Sequence, residues 1–169
     1  MSGVGRRSLQ RDFPIFNLRN KKWDGRWRLV FYDIDEKSKR TRDRLQKKLK
    51  ELGFGMIQKS VYLTPFDVAE DFREFLLEQG LSDFVFVGVV DRLFAGNEKK
   101  LIEKVWKLED LNKRYLKLNE RLEGGEVLDG IFSEFESLLR EDPFLPKEFL
   151  PDSWRGDIVY QKIKQLLKR

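Results

Sequence analysis

The sequence predicts an α+β fold: a ferredoxin-like βαββαβ sandwich followed by a helical C-terminal segment. Three observations predict it. Apolar residues alternate between Trp27 and Asp33, as the two faces of a strand require. A basic stretch of helical period follows at once, and a second strand region follows that. From Asn97 onward the apolar period is helical throughout.

Residues 1–22 are basic and weakly patterned, with Arg6, Arg7, Arg11, Arg19, Lys21 and Lys22, and read as an arm or linker. In the first strand Trp27, Leu29 and Phe31 face one way, and Arg28, Val30 and Tyr32 the other. Aromatic and β-branched residues suit a pleated, half-buried surface. A helix is expected from about Lys37 to Leu52, with Thr41, Leu45, Leu49 and Leu52 on its inner face. Acidic residues lie at its start and basic ones fill its body and end, as the helix macrodipole favours. Gly53 and Gly55 end it. Met56 to Leu63 is a strand region, two short strands meeting near Gln58. Asp67 to Gln79 is a helix with Val68, Phe72, Phe75 and Leu76 inward. Leu81 to Val90 is a nearly unbroken apolar run and reads as a buried strand. Right-handed crossovers place both helices on one face of the sheet.

Beyond it, Leu101, Val105 and Leu108 stripe one helical segment, and Leu111, Tyr115 and Leu118 the next. Val127, Ile131, Phe135 and Leu138 stripe a third. A turn-rich stretch from Asp142 to Trp154 holds three prolines. A last helix from Asp157 to Lys168 carries Ile158, Ile163, Leu166 and Leu167. The expected organisation is a basic arm at 1–22, a sandwich at 23–94 and a helical C-terminal domain at 97–169, with the boundary near Phe94 to Asn97.

Composition narrows the chemistry. The chain has no cysteine and no histidine, which excludes disulfides, thiolate or imidazole zinc sites and histidine-based nucleophilic catalysis. No signal peptide and no apolar run long enough to span a bilayer is seen, so the chain reads as cytoplasmic with no membrane partner. Charge is unevenly spread. Residues 1–60 carry 17 Lys or Arg against 7 Asp or Glu, while the rest of the chain carries the remaining 17 against 22. A cationic first third on a mildly acidic body points to a polyanion, DNA or RNA. The face Lys39, Arg40, Arg44, Lys47 and Lys48 is the candidate phosphate contact, with Arg6 and Arg7 of the arm beside it. The alternative for the same residues is a solvated helix face.

Asp33 is the candidate catalytic and metal-binding residue. A carboxylate at the end of a buried strand suits Mg²⁺, which polarises a phosphate and activates water without histidine. The alternative is that Asp33 caps the next helix or pairs with Arg28, Arg40 or Arg42. Asp35 and Glu36 read as first-turn helix residues. Trp23, Trp27, Trp106 and Trp154 read as packing rather than base-stacking residues.

Three segments also resemble one family. The run WDGRWRLVFYDIDEKSKRTRDRLQKKLKELGFGMIQKSVYLTP resembles the central domain of the PaaX-type repressors of phenylacetate catabolism. VWKLEDLNKRY, from Val105, and FLPKEFLPDSWRG, from Phe144, resemble their C-terminal segment. That central domain is in turn similar to the small CRISPR-associated spacer-acquisition endonuclease, through Tyr32-Asp33 and Gln58-Lys59-Ser60-Val61-Tyr62. The resemblance implies a ferredoxin-like homodimer acting as the dimerisation and regulatory core of a transcriptional regulator. It also implies an aryl-coenzyme A effector, held in a cleft between sandwich and tail. The winged-helix reading domain with which such repressors begin has no counterpart here beyond Gly5 to Leu9, which resembles its last residues. The alternative implied by the second similarity is a Mg²⁺-dependent endonuclease or a spacer-integration scaffold. There the Asp matching Asp33 lies near the dimer axis.

Overall fold

The structure is a computed structural model that describes residues 19, 22–91, 96–125 and 128–167. The elements run β1 (Trp27–Tyr32), α1 (Lys39–Glu51), β2 (Gly55–Gln58), β3 (Val61–Thr64), α2 (Ala69–Glu78) and β4 (Val85–Val90). They continue as α3 (Glu98–Trp106), α4 (Leu108–Glu123), α5 (Leu128–Glu141) and α6 (Gly156–Leu166). A short 3₁₀ turn covers Lys147–Phe149. The α+β sandwich with a helical C-terminal segment is the fold the alternation and helical periods predict.

The sheet is antiparallel throughout, in the order β2-β3-β1-β4. Arg28 pairs with Thr64 and Val89, and Val30 with Tyr62 and Val87, so these residues share one face. α1 lies over that face, its Gln46 donating a hydrogen bond to the Tyr32 hydroxyl at 3.1 Å. α2 lies beside α1: Lys48 Nζ sits 5.7 Å from the Phe75 ring centroid, and Arg44 donates to Gln79. Val30, Leu45, Leu49, Phe72 and Leu76 are buried in one apolar cluster there.

The opposite face carries Trp27, Leu29 and Phe31 of β1, with Gly55 and Leu63 in register alongside. The C-terminal segment covers one end of it. Trp27 stacks on Trp106 with centroids 6.2 Å apart and packs against Phe149 at 5.0 Å. Its indole N–H donates to Glu98 at 2.9 Å. The other end is open, with Phe31 and Phe86 stacked at 5.2 Å and both about half exposed. A second cluster, built on Leu111, Tyr115, Leu118, Ile131, Phe135, Leu138, Val159 and Ile163, forms the centre of α4, α5 and α6.

The turns follow their residues. The chain leaves α1 through Gly53 at φ +80°, a left-handed conformation that costs glycine little, and the Phe54 N–H donates to the Leu49 carbonyl at 2.9 Å. Lys107 at φ +50° separates α3 from α4.

Several expectations are corrected. Asp35 and Glu36 are not in the first turn of α1: the helix starts at Lys39 and its first turn holds no acidic residue. The apolar run at Leu81 is not strand from its start. Leu81 to Phe84 closes a turn, the Phe84 N–H donating to the Leu81 carbonyl at 3.0 Å, and the strand begins at Val85. Nor is it a buried strand. β4 is an edge with one neighbour, and Phe84, Phe86, Val87 and Val89 are exposed. In α6 the inner residues are Val159 and Ile163, one turn apart, while Ile158, about 100° round the helix from Val159, faces outward. The expected boundary residue Phe94 and the stripe residue Val127 lie outside the described residues.

Candidate nucleic-acid interface

Amphipathicity decides what α1 shows to solvent. Leu45 and Leu49 are its buried residues, so the intervening charges must point away from the core. Lys39, Arg40, Arg44 and Lys47 are exposed. Lys39 and Arg40 make no hydrogen bond or ion pair among the described residues. Arg44 donates to Gln79, and Lys47 lies 3.9 Å from Glu51, an exposed pair of small energetic weight. Lys48 is half-buried with its ammonium over Phe75, and is the one member of the predicted face turned partly into the protein. The structure thus brings four cations together on an open helix face. Arg6 and Arg7 lie outside the described residues, and Lys22 is exposed.

Asp33 lies just past the C-terminal end of β1. It is exposed, and its backbone N–H donates to the Phe84 carbonyl at 3.0 Å, tying it to the start of the edge strand. Its side chain makes no hydrogen bond or ion pair among the described residues. Arg28 is committed elsewhere, to Asp24 at 2.6 Å and Asp67 at 3.3 Å. That hydrogen bond from Arg28 holds the Asp24 carboxyl below the usual carboxylate range. Glu36 reaches Lys59 at 2.5 Å, and the Lys59 hydrogen bond lowers its pKa. Asp35 accepts from the Lys37 backbone at 2.8 Å. Among the described residues no group of three carboxylates assembles, so one chain offers Mg²⁺ a single free carboxylate at this position. That donor set does not fit a resident cation.

Two features escape sequence reasoning. One is the apolar edge of β4 beside Asp33, whose run of valines and phenylalanines reads as interior until the strand order is known. The other is Arg19, which reads as part of the basic arm. It is 4% exposed and binds Asp142 at 2.5 Å and Asp157 at 2.6 Å. Only the tertiary pairing of residues more than 100 positions apart reveals it.

Residues 20–102 match the family model of the PaaX protein central Cas2-like domain. The transcriptional repressor PaaX of Escherichia coli strain K12 is 25% identical over 190 aligned positions, covering 100% of this chain. The chain spans 60% of the length of that curated relative. Among solved structures, an uncharacterised protein from Mycobacterium tuberculosis superposes with a TM-score of 0.73 at 20% identity, over 99% of this chain and 70% of the other. At that identity the likeness speaks for the fold.

Proposed function

We propose that this chain, whose residues 20–102 match the central domain of the PaaX protein, is the dimerisation and regulatory core of a PaaX-like transcriptional regulator, associated with nucleic acid in the cytoplasm. The reading rests on the central-domain match over residues 20–102. The open cationic face of α1 supports the nucleic-acid part: Lys39, Arg40, Arg44 and Lys47 stand in solvent next to one another, as phosphate contacts require. The bare edge of β4 supports the homodimer. An unpaired antiparallel edge with exposed Phe84, Phe86, Val87 and Val89 and no lysine or proline guarding it invites a second copy about a two-fold axis. The same axis would set two copies of Asp33 near the seam. An aryl-coenzyme A effector remains part of the proposal and is tested by its effect on melting temperature.

The nucleic-acid part is tested by measuring binding of duplex DNA and of single-stranded RNA across a range of salt. Affinity falls with salt, with a log–log slope of about −0.9 per duplex phosphate neutralised. Changing Lys39, Arg40, Arg44 and Lys47 together to Gln flattens the slope and leaves the circular dichroism spectrum intact. A flat slope in the unaltered protein rejects the interface.

A further inference from the structure

The surface also changes character where the sandwich meets the tail. A cleft of about 380 Å³ opens between the end of α1, β2, α3 and the end of α5. Its apolar wall is Phe54, Met56, Tyr62, Val105, Trp106 and Pro143. Met56 is 55% exposed, a large apolar side chain left in solvent at the mouth of a concavity.

The charges around this wall do not cancel. Four charged residues line the cleft: Lys50, Arg140, Glu141 and Asp142. Both carboxylates are already matched by arginines outside the lining. Arg114 holds Glu141 through two hydrogen bonds, one at 2.9 Å, and this holds the Glu141 carboxyl below its ordinary range. Arg19 holds Asp142 at 2.5 Å. The Lys50 and Arg140 side chains are exposed and make no hydrogen bond or ion pair among the described residues, although Lys50 lies near enough to Glu141 to add slightly to its shift. With the carboxylates neutralised, the cleft presents two cations over an aromatic and aliphatic floor. Ligand clefts run from about 300 to about 1,000 Å³, so this one suits a small molecule rather than a peptide or a nucleic-acid strand.

We propose that this cleft binds a small organic carboxylate with an apolar body, the body against Met56, Trp106 and Val105 and the anionic end at Lys50 and Arg140. The proposal stands whether or not α1 contacts nucleic acid.

The chain has two methionines, Met1 and Met56, so methyl-labelled methionine gives two signals, one of them in the cleft. The full chain is titrated with hexanoate and benzoate, and separately with hexanamide, benzamide, hexylamine and inorganic phosphate. The expected result is a saturable shift of the Met56 methyl signal with the carboxylates, at least about tenfold weaker with the matching amides, as loss of a charged hydrogen-bond partner implies. The amine and phosphate give no saturable shift. The Lys50→Gln, Arg140→Gln double variant, altered only at exposed side chains, folds normally and weakens carboxylate binding by about tenfold or more. The proposal is overturned by no saturable shift with either carboxylate. Equal binding of the amides, equal binding by the folded double variant, or saturation by phosphate alone overturns it as well.

Discussion

Arg19 lies with its guanidinium carbon 5.1 Å from the Phe144 ring centroid and 5.2 Å from that of Trp154. Burial opposes its charge, and Asp142 and Asp157 more than offset that, so its pKa is raised. Asp142 in turn accepts from the Tyr115 hydroxyl at 3.0 Å and from the Phe144 N–H at 2.8 Å. Removing one member of a buried pair leaves the other charge stranded, at a cost of about 3–5 kcal/mol. Arg19→Met should therefore lower the urea midpoint steeply. Pairing it with Asp142→Asn should recover part of the loss, because it removes the stranded charge; the Tyr115 and Phe144 hydrogen bonds go to different carboxylate oxygens, so the single amide oxygen keeps only one of them. If the two substitutions simply add, the pair is not coupled. Titration gives an independent check. Burial, then Tyr32, raises the Tyr62 pKa; burial, then Asp142, raises that of Tyr115 well above the ordinary value. A phenol whose folded pKa is raised contributes stability in full below about pH 10, the unfolded value, and loses it as pH rises further. The depressed carboxyls of Asp24 and Glu141 act oppositely: their contribution is present above about pH 4 and is lost as pH falls through their folded values. Stability should thus decline at both ends. Tyrosinate absorbance from these two residues should appear only together with unfolding; its appearance in the folded protein would contradict their burial.

Packing of one element on another is close where α3 crosses β2. A Cβ built on Gly55 would lie 2.1 Å from Val105 Cγ1 and 2.6 Å from Trp106 Cε2. Gly55→Ala therefore drives α3 away from the sheet, and overpacking of this kind costs about 1–3 kcal/mol. Trp106 stacks on Trp27, so the shift should show as a change in tryptophan emission that Trp106→Phe abolishes. An unchanged midpoint and spectrum would mean that α3 does not rest on β2. Gly55 reads in the sequence only as a glycine between the end of the helix and the next strand region, since its crowding comes from residues fifty positions away. The same reason divides what was legible from what was not. Period-two and period-3.6 patterns are local, so they put Val30 and Tyr32 on one face of β1, turn the charges of α1 outward and predict the candidate interface. The break at Lys107 is invisible because Leu101, Val105 and Leu108 keep helical spacing across it, although Leu108 belongs to the next helix. The exposure of β4 depends on strand order, and the cleft of Lys50, Met56, Trp106 and Arg140 on contacts between distant segments; neither leaves a periodic trace.

Across the whole molecule, the sheet and the C-terminal helices share apolar residues. Ile102, Leu108 and Leu145 are buried in the same cluster as Val30 and Trp27, with Phe149 and Leu150 packed against it. Trp154 touches this cluster and the centre of the helical segment alike. Arg19 adds a second tie, from ahead of β1 to the end of α5 and the start of α6. Full burial of one large aliphatic side chain is worth about 1.5–3 kcal/mol, so Ile102, Leu108 and Leu145 together supply roughly 5–9 kcal/mol. That is comparable with the whole stability of a typical domain, about 5–15 kcal/mol. The intact chain should therefore unfold in one transition, with tryptophan emission and far-ultraviolet ellipticity giving the same midpoint. A fragment ending at residue 96 keeps every strand but uncovers Trp27 and its neighbours, and should be unfolded or molten at a temperature where the intact chain is native. Two resolved transitions in the intact chain, or a fragment with an unchanged midpoint, would show instead that the sandwich stands without its tail. The regulatory consequence depends on this outcome. If the two parts share one folding transition, a ligand at their seam bears directly on the sheet that carries α1 and the open edge of β4.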